Sequence, residues 1–272
     1  MLRRDVLNPT APAMKFNLTR IVLFSALFAM AFSCSEDDDA TSPDTGLNQA
    51  SLSFASDKDG AITPPSGLAS SQDEHAIIAN GYIASVNSMT NALALFTPPS
   101  GAVKSSAKIT AANGRVAATD TDYLVYTWSD ATHGSVAYQV SSESDKWVFE
   151  TFIKPDHSSS WLAYAYAEEK KDRSEGTMKI FSTVGGDGDV LHNYTWKRAN
   201  LSLTLVLTES LTGENVAITS AINEKTAAGT VAYATDGILF ANIEWDAKGN
   251  GSWVMYEEDG KAIVDQGTWT AK

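Results

Sequence analysis

The stretch Leu201-Ser202-Leu203-Thr204-Leu205-Val206-Leu207-Thr208 decides the fold class. Leucine stands at every second position, and most positions between carry a hydroxyl group. Successive side chains of an extended chain point to opposite faces, so the leucines share one face and the hydroxyl residues share the other. This alternation predicts a β-strand with one face on a core and the other in solvent.

The same period of two runs through the second half of the chain. Tyr164 and Tyr166 alternate with alanines, and His192, Tyr194 and Trp196 alternate with mostly polar residues. All seven tryptophans lie after residue 120, which places the aromatic core there. We count about ten strands between residues 120 and 270, joined by short turns.

These strands favour a mainly β fold built as one antiparallel, up-and-down meander. Strands that follow one another along the chain usually pair when the turns between them are short. A sheet with many strands tends to curl or to close, because its edges otherwise stay unpaired. We therefore predict a sheet that is curled or closed into a barrel or half-barrel.

A recurring three-residue motif, named the glycine echo, supports the meander. Glycine followed by Ser or Thr and then by an apolar residue recurs five times, at Gly134, Gly176, Gly229, Gly251 and Gly267. We expect each glycine at the start of a return strand, where it permits a sharp bend or a bulge. The irregular spacing argues against a solenoid or propeller repeat.

One amphipathic helix is predicted before the strands. Ser71-Gln72-Asp73-Glu74 has capping-box spacing, with Ser71 as the N-cap and Glu74 reaching back. Apolar residues then recur at steps of three or four, at Ile78, Tyr82, Val86, Met89, Leu93 and Phe96. Pro98-Pro99 ends the pattern. The expected helix covers one face or an open mouth of the sheet.

The N-terminal segment carries a targeting signal. A basic stretch from Met14 to Arg20 precedes the apolar run Ile21–Phe32, which has twelve residues. A spanning helix needs about 20 residues, so this run is predicted to be a signal-peptide core. Residues 1–33 form the signal peptide, and residues 1–13 are interpreted as an upstream start artefact because Met14 begins a complete signal by itself.

The signal ends at the only cysteine of the chain. Ala31-Phe32-Ser33-Cys34 resembles the lipobox of bacterial lipoproteins, and the acidic tract Ser35–Asp39 resembles the export signal of surface-exposed lipoproteins of the Bacteroidota. The resemblance implies that the Cys34 thiol receives a diacylglycerol and that the chain is cut before it. It also implies attachment to the outer membrane, at the cell surface or otherwise on the periplasmic face. An ordinary buried thiol and a solvated acidic linker are the alternatives.

Composition divides the rest of the chain. Residues 34–69 are rich in Ser, Asp, Thr, Pro and Gly, so they are predicted to be a flexible acidic tether. Residues 70–272 are long enough for one domain with a sizeable core. The chain has 20 basic and 33 acidic residues and a net charge of −13, which argues against nucleic acid as a partner.

Signals for chemistry are poor. The usual hydrolase, zinc-protease, phosphate-loop and dinucleotide motifs are absent from the sequence, so we expect no cofactor. The four histidines lack metal-ligand spacing, and His75, His133 and His157 are expected in solvent. The acidic stretches Gly185–Asp189 and Asp246–Gly251 are interpreted as hairpin turns and not as calcium loops.

The preferred function is non-catalytic binding of a small apolar molecule, a lipid or a glycan by the curled sheet. His192, Tyr194 and Trp196, with Tyr164 and Tyr166, are the candidate ligand-binding residues, because aromatic walls with few polar groups are typical of ligand pockets. A structural or accessory subunit at the outer membrane is the first alternative, with its protein partner unspecified. A hydrolase of unrecognised family is the second.

Overall fold

A computed structural model describes residues 46–52, 62–112, 122–131, 133–183, 189–200, 202–211 and 214–271. The predicted signal peptide, Cys34, Leu201 and residues 184–188 lie outside the described residues. Within the described residues, four helical segments precede the sheet: the 3-10 turn Leu47–Gln49, α1 Ser66–Ala69, α2 Glu74–Ala92 and the 3-10 turn Leu93–Phe96.

One antiparallel sheet makes up most of the described chain, and its strand order is the order of the sequence. The thirteen strands are β1 Val103–Ser105, β2 Tyr123–Asp130, β3 Gly134–Glu143, β4 Lys146–Lys154, β5 Leu162–Lys170, β6 Glu175–Phe181, β7 Val190–Ala199, β8 Ser202–Leu211, β9 Glu214–Asn223, β10 Gly229–Thr235, β11 Ile238–Trp245, β12 Gly251–Tyr256 and β13 Ile263–Trp269. The predicted up-and-down meander is therefore confirmed, with more strands than expected.

The sheet is open. Among the described residues β1 pairs only with β2 and β13 only with β12, so the two ends of the sheet do not meet. Of the predicted alternatives, the closed barrel is therefore wrong, and the half-barrel stays a prediction. Closure would require β1 to offer a long pairing edge, and this strand has only three residues.

The two faces of the sheet carry different partners. The face that we name the helix face bears α2 and the larger core, which includes Phe149, Met178 and Leu205. The other face, named the strap face, is crossed near β2–β5 by residues 106–112, and Ile109 packs there in a second core. Strands β3 and β4 are buried on both faces for six consecutive residues each, since both layers cover them.

Helix α2 begins two residues later than the capping box predicts. The Asp73 carboxylate accepts the backbone N–H groups of His75 (2.9 Å) and Ala76 (3.3 Å), and the Asp73 carbonyl accepts the N–H of Ile77. Asp73 is therefore the N-cap. The predicted cap, Ser71, accepts the Asp73 N–H in a local turn before the helix.

The buried side of α2 is shifted from the predicted stripe. Ala76, Ala79 and Ile83 are buried at steps of three and four, whereas Ile78 and Tyr82 are half-buried beside them. Two alanines let the helix backbone approach the sheet closely, which hydropathy alone does not reveal. The side chains of Val86, Met89 and Leu93 lie outside the described part of the structure.

His75, expected in solvent, instead packs on the sheet. Its ring stacks on that of Trp253 in β12, with centroids 3.7 Å apart and planes 7° apart. The first turn of α2 is thus held against the C-terminal strands.

The packed domain includes residues that the sequence analysis placed in the tether. Leu47, Leu52 and Leu68 are buried in the helix-face core. The Asn87 side chain of α2 also binds the backbone of Ile62, accepting its N–H at 2.8 Å and donating to its carbonyl at 2.9 Å. The alternation of Leu52 and Phe54 left a short docked strand as an option within the tether, but Leu47 and Leu68 stand alone in a polar stretch and gave no periodic signal for docking.

The glycine echo has a structural cause different from the one predicted. Four of the five glycines lie directly opposite a tryptophan on the next strand, and the indole ring occupies the place of the missing side chain: Gly176–Trp196, Gly229–Trp245, Gly251–Trp269 and Gly267–Trp253. A Cβ at any of these glycines would overlap its ring. The register shifts of the sheet lie at other residues, so bulges do not explain these four glycines.

Candidate functional site

The structure separates the predicted ligand-binding residues. His192, Tyr194 and Trp196 share the helix face of β7, as their alternation predicts. Tyr166 packs on the strap-face core, and Tyr164 lies at a register shift of β5, where its ring is 5.6 Å from that of His133. The five residues are thus not brought together, and their role in ligand binding stays a prediction.

Trp196 is engaged in packing. It is 3% exposed, its ring covers Gly176, and its indole N–H donates to the buried Glu169 carboxylate at 3.3 Å. His192 is also buried, and its ring lies 6.2 Å from that of Tyr194. These contacts leave little of Trp196 for a ligand in this state of the protein.

A different cavity has aromatic, aliphatic and uncharged polar side chains in its wall. It has a volume of ≈ 390 Å³ and lies on the helix face near β2 and β3. We name it the aromatic pocket and define it by its lining residues: Leu47, Asn48, Ala50, Ser51, Leu52, Phe96, Thr97, Pro98, Pro99, Ala102, Leu124, Tyr126 and Tyr138.

Three separate parts of the chain build this pocket. Leu124, Tyr126 and Tyr138 come from β2 and β3. The segments 47–52 and 96–99 supply the rest of the wall together with Ala102. Because side chains at every second position share a face, Leu124 and Tyr126 stand next to each other on β2, and Tyr138 lies directly opposite Tyr126.

The wall that contains Phe96 is anchored to the sheet. The Thr151 hydroxyl of β4 donates to the Leu95 carbonyl, and the Phe96 ring meets the Phe149 ring edge-on with centroids 6.3 Å apart. Pro98 and Pro99 have restricted backbones, and a turn closed by the Ala102 N–H and the Pro99 carbonyl follows them. This wall is therefore pre-formed.

The pocket is uncharged. None of its lining residues is acidic or basic, although the whole chain has a net charge of −13. Burial raises the pKa of Tyr138, and the nearby Tyr126 raises it further, so the Tyr138 hydroxyl keeps its proton. Tyrosine, serine, threonine and asparagine residues can offer hydrogen bonds to a neutral group.

Sequence reasoning missed this pocket almost entirely. Phe96 was identified only as part of the helix stripe, and Pro98-Pro99 only as a helix stop. Leu124 and Tyr126 fall in the region of predicted strands after residue 120, but the sequence does not indicate which distant segments cover those side chains.

A buried polar cluster lies on the strap face, under residues 106–112, which we name the strap. The Gln139 amide accepts the Ile109 N–H at 3.0 Å and donates to the Glu150 carboxylate at 2.8 Å. Burial raises the pKa of Glu150, and the Gln139 hydrogen bond and Lys108 oppose this only in part. The Ser141 hydroxyl, on the same face, has no hydrogen-bond partner among the described residues.

This cluster does not form an open catalytic cleft. Glu150 is 5% exposed and Gln139 is 1% exposed, so neither carboxyl nor amide can reach a substrate while the strap is in place. The next carboxylate on this face, Glu168, accepts hydrogen bonds from Lys146 at 2.6 Å and from Tyr166 at 2.8 Å. Burial alone would raise the pKa of Glu168, but these two hydrogen bonds lower it.

The acidic turn Asp246–Gly251 uses its carboxylate to accept backbone hydrogen bonds. The Asp246 carboxylate accepts the N–H groups of Lys248 and Asn250 at 2.8 and 3.0 Å, as in an ordinary hairpin turn. Within the described residues, no group of three or more His, Cys, Asp or Glu side chains lies close enough to hold a metal ion. None of the described helices combines the length and the apolar character that a membrane span requires.

No protein-family model matches the chain, and no curated protein matches it. The geometry of the aromatic pocket therefore carries the functional argument.

Proposed function

We propose that this chain is a lipid-anchored protein of the cell envelope that binds a small, neutral, partly apolar molecule in the aromatic pocket without transforming it. The observation that carries the proposal is the pocket itself, ≈ 390 Å³ in volume, with three aromatic residues and no charged residue in its lining. Ligand sites are typically apolar cavities of about 300–1,000 Å³ with few polar groups. The size favours a small molecule over a diacyl lipid.

The anchor belongs to the same proposal. Cys34 follows a leader that resembles those of bacterial lipoproteins. A single acyl chain binds a membrane only marginally, whereas two or three chains on one cysteine hold it firmly. The binding domain would then sit at the outer membrane, at the cell surface or on the periplasmic face.

We further propose that the open sheet curls as a half-barrel around its helical cover. Support comes from the contacts of that cover on the helix face: α2 contacts β10 and β11, and the 3-10 turn that follows it contacts β4. The turn Leu47–Gln49 contacts β2 and β3. The aromatic pocket lies where this last segment and residues 96–99 meet the sheet.

A fluorescent probe tests the pocket. The neutral dye N-phenylnaphthylamine should bind the full chain and brighten, and its anionic sulfonate analogue should bind far less, because the pocket offers an anion no cation. The variant Ala102→Trp fills the pocket and should abolish dye binding. Ala262→Trp, at an exposed position, is the matched control and should bind as the native chain does.

Two results would contradict the proposal. Dye binding that survives Ala102→Trp would place the dye elsewhere, and equal binding of the anionic analogue would contradict the neutral site. Native mass spectrometry of the detergent-extracted chain should also reveal a co-purified small molecule that the Ala102→Trp variant lacks.

A second candidate function, an interaction role at the outer membrane, is favoured by the edge strand β13. Ile263 and Val264 are 53% and 63% exposed there. An exposed edge with β-branched residues can accept a strand from a partner. Cross-linking in intact cells should capture an assembly that Val264→Lys abolishes, and a chain that stays monomeric in this experiment contradicts the role.

A further inference from the structure

A second groove lies on the strap face, away from the aromatic pocket. Its volume is ≈ 400 Å³, and it runs over the ends of β5–β8 near the hairpin that joins β3 to β4. Three threonines of adjacent strands line it, Thr177 on β6, Thr195 on β7 and Thr204 on β8. We name it the threonine groove.

Strand register explains why these residues form one surface. Thr177 pairs with Thr195, and Lys197 pairs with both Glu175 and Thr204. Directly opposed residues share a face of the sheet, so the groove consists of two neighbouring cross-strand rows. Three steps between adjacent strands, at about 4.8 Å each, give the groove a length of about 14 Å.

The groove carries charges of both signs. Lys146 and Lys170 are direct cross-strand partners, an arrangement that is unfavourable by itself. Each lysine is compensated by its own carboxylate, since Lys146 lies 2.6 Å from Glu168 and Lys170 lies 2.7 Å from Glu175. The result is a row of donors and acceptors with little net charge, in a chain whose net charge is −13.

Lys197 adds a donor at the far side of this row. It is exposed, and within the described residues it makes no ion pair. The Thr177 hydroxyl donates to the Tyr194 carbonyl at 2.9 Å, which leaves its two lone pairs as acceptors. Thr195 is exposed and Thr204 is half-buried, so both present hydroxyl groups beside Lys197.

This pattern selects a ligand that donates and accepts hydrogen bonds along its length. Threonine hydroxyls do both, lysines only donate, and carboxylates only accept. A polyanion would have to displace Glu168 and Glu175 from their lysines, and an apolar ligand would bury the hydroxyl groups without partners. A neutral sugar chain meets all of these groups with its own hydroxyls.

We propose that the threonine groove binds a neutral oligosaccharide that lies across strands β5–β8. This inference is independent of the aromatic pocket, because the two sites lie on opposite faces and share no lining residue. It assigns a second, polar ligand class to the same domain.

Nuclear magnetic resonance titration of the full chain tests the proposal. The probes are cellohexaose and maltohexaose as neutral sugars, and hexagalacturonate as the anionic counterpart. A neutral probe should shift the amide signals of Thr177, Thr195 and Thr204, with an affinity that does not depend on salt. The double variant Thr195→Val/Thr204→Val should bind roughly threefold to tenfold more weakly for each hydroxyl removed.

The matched control is Thr219→Val, an exposed threonine of the same face on β9, outside the groove. It should bind as the native chain does. Equal weakening by Thr219→Val, salt-dependent binding of hexagalacturonate alone, or no binding of either neutral sugar would each overturn the proposal. Because the Ala102→Trp variant leaves this groove intact, failure here and failure of the aromatic pocket are distinguishable.

Discussion

The indole of Trp269 lies over Gly251 on the adjacent strand and donates its N–H to the Gly249 carbonyl at 2.7 Å. Trp245 repeats this arrangement one hairpin earlier, over Gly229, with its N–H on the Ala227 carbonyl at 2.6 Å. In both hairpins one tryptophan fills the space beside a glycine and donates a hydrogen bond to the turn that precedes the hairpin.

Gly251→Ala should therefore destabilise the domain. A methyl group at this position overlaps the Trp269 ring, and such overpacking costs about 1–3 kcal/mol. Urea unfolding measures the loss. In a Trp269→Ala background the same substitution should cost less, because the ring is gone, although the new Cβ would still meet the Glu244 carbonyl oxygen. An unchanged cost would contradict the pairing.

Gly81→Ala provides the contrast within the same chain. Gly81 is exposed in α2, and a Cβ there would meet nothing within 4 Å. Alanine stabilises a helix interior relative to glycine by about 0.5–1 kcal/mol. The free energy of unfolding should rise by that amount, and a decrease would show that the exposed side of α2 has a partner.

Glu150 should make stability depend on pH. Its pKa is raised from 4.5 in the folded protein, so folding favours its protonated form. The stabilising contribution is complete below pH 4.5 and is lost as the pH rises through the folded pKa. The loss is about 1.4 kcal/mol for each tenfold difference in proton affinity between the folded and unfolded states.

Urea unfolding at several pH values measures this contribution, and Glu150→Gln should remove it. Tyr166, Lys108 and Glu143 face the same carboxyl and remain in both chains. Glu168→Gln is the control of opposite sign, because the pKa of Glu168 is lowered and its contribution is lost as the pH falls. Identical pH profiles for the native and Glu150→Gln chains would contradict the prediction.

Asn87→Ala should release the segment around Ile62. It removes both hydrogen bonds between the Asn87 side chain and the Ile62 backbone, at a cost of about 1–3 kcal/mol. Limited proteolysis should then cut near residue 62 faster than in the native chain. Asn87→Asp keeps the acceptor for the Ile62 N–H, so its rate of cleavage should lie between those of the native chain and Asn87→Ala. An unchanged rate in both variants would mean that α2 does not hold this segment.

Cys34→Ser tests the anchor. The variant should fail to incorporate labelled palmitate and should leave the detergent phase on partitioning, whereas Ser35→Ala should remain lipidated. Detergent partitioning that persists in Cys34→Ser would refute acylation at this cysteine. Protease shaving of intact cells then separates the cell surface from the periplasmic face, since full protection of the domain contradicts surface exposure.

The sequence predicted what depends on local periodicity. Alternation around Leu203 and Leu205 placed both residues on the buried face, and short turns predicted pairing between neighbouring strands. The start of α2 was displaced because a carboxylate at Asp73 competed successfully with the hydroxyl at Ser71. Both side chains cap helices well, and hydropathy does not separate them.

What the sequence did not predict depends on contacts between distant segments. The partner of Gly251 is 18 residues away at Trp269, and only the register of the hairpin brings them together. The aromatic pocket needs Leu52, Phe96 and Tyr138, which come from three parts of the chain. The threonine groove likewise appears only when β6, β7 and β8 are aligned.

The coincidence of strand order with chain order has a consequence for folding kinetics. Within the described part of the chain, each strand pairs only with its neighbours in sequence. Contacts between strands therefore close short loops, and the sheet can form one hairpin at a time as the chain is synthesised. Contacts between distant segments involve the N-terminal cover, and the longest-range ones include α2 on β10–β11 and the packing of Gly67 beside Lys248 and Ala271. Helix α2 is synthesised before β10 and β11, so it can dock on the sheet only after these strands have formed. We expect this docking to be a late step of folding.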